Sequence, residues 1–231
     1  MRRVLVHNPH SSSALPARDA YLVDPEAEID LVTDWHVETM FAAADEMMTF
    51  PWSRIWCDVE RFRDDPLEAK GLGLAYTRTL EGAPLREKPN MEPILAAYDT
   101  HHRALETMVA RAVAAGPVVL LDAHSFSDYQ ASFFCDGAVM PDFCIGFDRP
   151  TPLVHRLAEI LAEGGCSVGF NAPFAGALTP PAFAGHPDVC AIMIEVNKRL
   201  YLESPFRRKP RDLATVRLKL EKAMDRLRTG D

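Results

Sequence analysis

The sequence predicts an α/β fold, with a largely parallel or mixed sheet carrying helices on both sides. Two observations predict it. Short apolar runs alternate along the chain with longer runs of helical period. Several of the short runs are rich in Val, Ile and Phe without polar alternation, which suits strands buried on both faces. A length of 231 residues is enough for one sizeable core, and no linker-like stretch or internal repeat interrupts it, so residues 1–231 are expected to form a single domain.

Strands are expected at residues 4–6, 54–57, 118–122, 143–147, 166–170 and 191–196, and helices at 31–48, 92–115, 152–163 and 211–228. In the second helix Leu95, Tyr98, His102, Leu105 and Val109 form one stripe, and Gly116 follows as a stop. Thr151 followed by Pro152 reads as an N-cap with proline in the first turn. Two polar or proline-rich stretches, 64–89 and 173–188, are longer than ordinary connections and read as lids or binding loops.

Composition excludes several partners. Lys plus Arg number 25 and Asp plus Glu 33, a net charge of −8 that repels a phosphate backbone. The one basic cluster, Arg207, Arg208, Lys209 and Arg211, reads as a solvated edge of the last helix. No apolar run approaches the ~18 residues that cross a bilayer, and the opening Met-Arg-Arg-Val-Leu-Val-His-Asn reads as a first strand rather than a signal peptide. Five cysteines (57, 135, 144, 166 and 190) show no Cys-x-x-Cys spacing, which favours reduced thiols and a cytoplasmic location. A homo-oligomer is left open.

Three strand ends carry the chemistry. They are His7-Asn8-Pro9-His10-Ser11-Ser12, Leu120-Leu121-Asp122-Ala123-His124-Ser125 and Ile192-Met193-Ile194-Glu195-Val196-Asn197. Ligands of open α/β sheets bind outside the carboxyl ends of the strands. Zinc takes imidazole nitrogens and carboxylate oxygens and keeps one position for water in a catalytic site. His10 and His124 supply two imidazoles, and Asp34 is the choice for the acidic ligand. Asp122, two residues from His124 on one side of an extended strand, would orient it. Glu195 would act as general base toward a metal-bound water and pass the proton to a leaving nitrogen. The plainer readings are an N-cap or first-turn acid for Asp34, a loop-bonding imidazole for His10 and an ordinary hydrogen-bonded pair for Asp122 and His124. Glu195 has no such easy alternative, because an ionised carboxylate among Ile192, Met193, Ile194 and Val196 is costly unless paired or metal-linked. His36, His101, His155 and His186 carry less information, and His102, on the apolar face beside Tyr98, reads as a core histidine with a pocket role as the alternative.

These segments resemble the N-formylglutamate amidohydrolase family. Pro9-His10-Ser11-Ser12 resembles its Pro-His-Ser-Gly, Thr33-Asp34-Trp35-His36 its Thr-Asp-Trp, and Asp58-Val59-Glu60-Arg61-Phe62 its Asp-Val-Asn-Arg-Phe. Leu121-Asp122-Ala123-His124-Ser125 resembles its strand-end Asp-x-His-Ser. Asn171-Ala172-Pro173-Phe174-Ala175-Gly176 resembles its Asn-x-Pro-Phe-x-Gly, and the segment from Ile194 to Tyr201 its Glu-x-Asn-(Arg/Lys)-x-Leu-Tyr. Six such segments in one order span most of the chain. The resemblance implies a three-layer α/β/α sandwich like that of zinc carboxypeptidases and aspartoacylases. It implies hydrolysis of the acyl–nitrogen bond of a small N-acyl amino acid, with one zinc or similar divalent ion on His10, Asp34 and His124. Glu195 is then the general base and Arg61 the grip on the substrate carboxylate, bidentate as guanidinium allows.

Two departures bear on the substrate. Glu60 stands where the family has Asn, beside Arg61; it either neutralises Arg61 or favours a substrate bearing a cation. After Asn171, a further substrate-contact candidate, the run Ala177-Leu178-Thr179-Pro180-Pro181 lacks the His- and Arg-containing stretch of the deformylases, and Tyr76, Thr77 and Arg78 offer a replacement anion contact. A peptidase or amidase of other substrates and a metal-free binding protein on the same scaffold are the competing readings. A serine hydrolase through Ser125 is weaker, since Gly-x-Ser-x-Gly is absent.

Overall fold

A computed structural model describes residues 1–18, 20–135, 139–204 and 208–229. Six strands form one sheet in the order β2-β1-β3-β6-β4-β5. They are β1 (Arg3–Asn8), β2 (Glu46–Thr49), β3 (Val118–Phe126), β4 (Phe143–Gly146), β5 (Val168–Phe170) and β6 (Val189–Asn197). β2, β1, β3 and β6 pair in parallel, β4 joins β6 antiparallel and β5 joins β4 in parallel. The mixed, largely parallel sheet expected from the sequence is therefore present. All nine residues of β3 are buried, the burial its unbroken apolar run implied.

The period of two along a strand sorts side chains to the two faces. Val4, Val6, Val119, Leu121, Ile192 and Ile194 join one cluster with residues of four helices. These are α1 (Glu26–Val32), α2 (Val37–Met40), α5 (Pro152–Ala162) and α6 (Leu213–Thr229). Leu5, Val118 and Leu120 face the other way, onto Leu105, Met108, Val109 and Ala112 of α3 (Met91–Val113). A short α4 (Asp128–Ala131) follows β3. His7, Asp122 and His124 share the parity of Leu5 and Leu120, so they project on the α3 side.

Several expectations need correction. Residues 31–48 are not one helix. α1 ends at Val32, Thr33 is extended (φ −75°, ψ 138°) and His36 is left-handed (φ 65°). Residues 46–48, assigned to that helix, belong to strand β2, which pairs with β1. The break has a partner outside the helix: the Asp34 amide donates to the His10 carbonyl at 3.0 Å. Residues 54–57 are not a strand, because Trp56 and Cys57 donate back to the Ser53 carbonyl and close a turn. In α3 the inward stripe runs through Ile94, His101, Leu105 and Val109, so His101 rather than His102 enters the core. Thr151 caps α5 as expected, its hydroxyl accepting from the Val154 amide at 3.4 Å. Gly116, expected as the stop of α3, lies two residues past the cap at Ala114. Arg208 of the basic cluster bonds Asp30 and Glu26 and stacks over Trp35, while Arg207 lies outside the described residues.

Candidate active site

Strand register assembles the site. His7 lies opposite Asp122 and His124 opposite Glu195. His10 follows β1, and Asp34 follows α1. His10 Nδ1, Asp34 and His124 Nδ1 converge, all three residues being buried. The two Nδ1 atoms are 3.3 Å apart, and Asp34 Oδ2 lies 3.3 Å from His124 Nδ1 and 3.6 Å from His10 Nδ1.

The far nitrogen of each ring explains why the near ones face each other. His10 Nε2 is 2.8 Å from Asp58 Oδ1, and His124 Nε2 is 3.2 Å from Asp122 Oδ1. A carboxylate accepts and cannot donate when ionised, so each Nε2 carries a proton, and each Nδ1 is the nitrogen left to present a lone pair to a metal ion. Two lone pairs and a carboxylate oxygen pointed at one another are repulsive until a cation stands between them. The edges of this triangle, 3.3, 3.3 and 3.6 Å, match the ~3.3–3.4 Å edges of a tetrahedron with zinc-type bonds of ~2.0–2.1 Å. The donor set and its spacing thus fit a divalent ion. Burial favours a neutral Asp34, but the flanking His10 and His124 hold its pKa below the usual carboxylate range. Burial likewise opposes charge on His124, but Asp122 and Asp34 more than offset it and hold its pKa well above the ordinary value; without an ion a proton takes the cation's place at Nδ1, and a metal ion would displace it.

Glu195 enters the same cavity with its Oε2 buried and without a hydrogen-bond partner. Burial pushes its pKa up to about 8, against the pull of His124. A buried acceptor left open costs roughly 1–3 kcal/mol, more when charged. Arg61 also lines the cavity, its side chain 19% exposed and its Nε 3.6 Å from Asp58 Oδ2. The cavity holds about 310 Å³ and is lined in part by Leu67, Tyr76 and Leu80 from one long loop and Pro173, Phe174 and Ala175 from the other.

The structure brings His10, Asp34, His124, Glu195, Arg61 and Glu60 to one cavity. It does not bring Asn171 or Arg78 there. Asn171 is left-handed (φ 51°), and its side-chain amide serves Phe147 N, Phe147 O and Gly176 N. It thereby holds the loop whose tip forms a cavity wall. That loop comes so near β4 that a Cβ on Gly146 would meet the Gly176 carbonyl at 2.2 Å. Arg78 donates outward to the Gly82 carbonyl. Ser125 Oγ donates to Asp34 Oδ1 at 3.2 Å, a contact with a carboxylate rather than with an imidazole base.

Several contributors went unassigned in the sequence. Asp58 is fully buried and takes hydrogen bonds from His10, Arg54 (3.1 and 2.7 Å), Tyr76 (3.2 Å) and the Glu60 amide (3.1 Å). It opens the Asp-Val-Glu-Arg-Phe segment, and Arg54 stands four residues before it; that i, i+4 pairing was the available signal. His7 is also fully buried, with Nδ1 2.9 Å from Asp122 Oδ1 and 3.2 Å from Glu60 Oε1, and Nε2 2.8 Å from His101 Nε2. Burial alone lowers its pKa, but Asp122 and Glu60 raise it to about 9, so a proton occupies that cluster. His101, driven by burial and by the His7 charge to about 3, is the neutral acceptor.

Fold and site together define an α/β protein with a candidate metal centre at the carboxyl ends of its parallel strands, faced by a buried carboxylate. The family profile for N-formylglutamate amidohydrolase matches residues 2–202. An N-formylglutamate deformylase of Pseudomonas aeruginosa is 31% identical, the alignment covering 88% of this chain and 84% of that protein. The chain belongs to the N-formylglutamate amidohydrolase family. Among solved structures, an N-formylglutamate amidohydrolase from Ralstonia eutropha JMP134 superposes with a TM-score of 0.84 at 21% identity, over 99% of this chain and 94% of that one. A gene product of Agrobacterium tumefaciens superposes with a TM-score of 0.69 at 17% identity, over 99% and 91%.

Proposed function

We propose that this chain hydrolyses the amide bond of an N-formyl or other small N-acyl amino acid, with one divalent ion, zinc by its donor set, held by His10, Asp34 and His124. The observation that carries the reading is the convergence of two imidazole lone pairs and a carboxylate oxygen beside the unpartnered Oε2 of Glu195. Membership of the family supports it.

Arg61 pairs with the substrate carboxylate and places the amide against Glu195. When bound, the ion supplies Lewis acidity toward the scissile carbonyl and toward water. Glu195 takes a proton as water adds to the carbonyl carbon. It returns that proton to nitrogen as the C–N bond breaks, leaving a carboxylic acid and a free amino acid. The first half needs the ionised carboxylate, which a divalent cation beside Glu195 would favour, and the second needs the acid, which burial favours. Asp58 and Asp122 fix the ring orientation of His10 and His124. Tyr76, Pro173 and Phe174 restrict water around the reacting groups.

The chain would work as a metabolic enzyme of one domain. No helix among the described residues is long and apolar enough to cross a membrane. All five cysteines are free, which fits a reducing cytoplasmic setting. Metal content of purified, untagged protein tests the reading, beside His124→Ala. Near-stoichiometric zinc that the variant loses is expected, and Glu195→Gln should retain zinc while kcat falls by roughly 10²–10⁴-fold. Absence of metal after zinc is offered, or unchanged turnover in Glu195→Gln, would sink the mechanism.

A further inference from the structure

The cavity that holds His10, Asp34 and His124 adjoins a second one of about 480 Å³. Glu60, Arg61, Ala175 and Met193 line both, so Arg61 stands at the junction. With a substrate α-carboxylate on Arg61 and the amide turned toward Glu195, the remaining substituent of the α-carbon starts at the mouth of the second chamber.

The walls of that chamber decide what it accepts. Val59, Phe62, Leu178, Pro181 and Met193 give it apolar surface. Its charged groups are mostly acids: Glu60, Asp122 and Asp148. Among the described residues lining it, Arg61 is the single guanidinium or ammonium group. His102 also lines it, but burial lowers that imidazole's pKa, and its Nε2 is 2.9 Å from the Val59 carbonyl. Arg54, the other guanidinium near the metal ligands, lies in the first cavity and is bound twice to Asp58. Asp122 is buried and bound by His7, His124 and the Leu178 amide, Glu60 lies 3.2 Å from the same protonated His7, and Asp148 is exposed. A side-chain carboxylate in the chamber would therefore find its one cation already engaged, and a side-chain ammonium would find no buried acid free. Burying an unpaired charge is costly, whereas an aliphatic group there gains contact with apolar walls.

We propose that the second chamber is the side-chain subsite of the enzyme and that the substrate amino acid carries an uncharged, apolar side chain of about leucine or methionine size. This rests on the amide-hydrolase reading above. It departs from the glutamate in the name of the Pseudomonas aeruginosa relative.

The test is kcat/KM of the zinc-loaded full chain on the N-formyl and N-acetyl derivatives of glycine, leucine, glutamate and lysine. The leucine derivative should exceed both the glutamate and the glycine derivative by at least about tenfold. Ala184→Trp and Thr179→Trp place bulk in the chamber walls from two positions. In either folded variant the leucine-to-glycine ratio of kcat/KM should fall by at least about tenfold. Preference for the glutamate or the lysine derivative overturns the subsite while leaving amide hydrolysis standing. An unchanged leucine-to-glycine ratio in both tryptophan variants does the same. Hydrolysis of no derivative overturns the parent reading and this one with it.

Discussion

Asp58 is the residue whose replacement discriminates most sharply, because one buried carboxylate holds four side chains at once. It accepts His10 Nε2–H at 2.8 Å on Oδ1, and Arg54 and Tyr76 on Oδ2, with Arg61 Nε at 3.6 Å. Burial opposes its charge, yet Arg54, His10 and Arg61 hold its pKa well below 3.8. Asp58→Asn keeps the shape, removes the charge and turns one acceptor into a donor. Either His10 or the arginine pair then faces an N–H. Breaking a buried ion pair from one side costs ~3–5 kcal/mol, and losing the partner that fixes a metal-ligating imidazole costs ~10–100-fold in metal affinity. Urea unfolding at pH 7 should show the first loss and a competitive zinc titration the second. The pH dependence follows from the direction of the shift. A carboxylate with a depressed folded pKa contributes its full stability above the unfolded value and loses it as pH falls through the folded one. The gap between wild type and Asp58→Asn should therefore narrow below about pH 4. A destabilisation under ~1 kcal/mol together with unchanged zinc affinity would refute the role given to Asp58.

Three further substitutions probe separate parts of the structure. Glu28 is buried on α1, accepts from the Leu80 amide at 2.7 Å, and is pushed up to about 7 by burial. Its protonated form stabilises the fold below its unfolded pKa, and that contribution is lost as pH rises through 7; Glu28→Gln should add roughly 1–3 kcal/mol at pH 9 and nothing at pH 5 by chemical denaturation. Asn171→Ala loses three backbone contacts at a left-handed position, so thermal unfolding should register ~2–4 kcal/mol and KM should rise as the wall of Pro173, Phe174 and Ala175 loosens. Thr151→Ala removes the cap of α5 far from the cavity, so stability should drop by ~1 kcal/mol with kcat/KM unchanged.

Much of the sheet was readable because burial on both faces leaves a compositional mark. Runs such as residues 118–122 and 191–196 have no polar alternation, and the strands that contain them are central. β2 left no such mark. Glu46-Met47-Met48-Thr49 is an edge strand of mixed polarity whose residues suit a helix, and its pairing with β1 decided its state. The left-handed His36 and the extended Thr33 were equally silent, since both are dictated by where Asp34 must reach and not by local propensity.

The site divides along the same line. His10, His124 and Glu195 stand at ends of, or within, strands that the apolar pattern located, so their convergence followed from the topology. His7 and Asp58 did not follow, and the reason is register. Alternation along β1 and β3 puts Leu5 and His7 on one side of the sheet, and Leu120, Asp122 and His124 on a side of their own. Only the pairing of His7 with Asp122 says that the two sides coincide. A slip of one residue would turn His7 onto the face of Val4 and Val6, where α6 packs, and leave Asp122 holding His124 alone. Asp58 lies outside the sheet altogether, and its partners are separated from it by up to 48 positions. Its hold on the His10 tautomer, and through it on the direction of the lone pair that faces Asp34, exists only once the chain has closed.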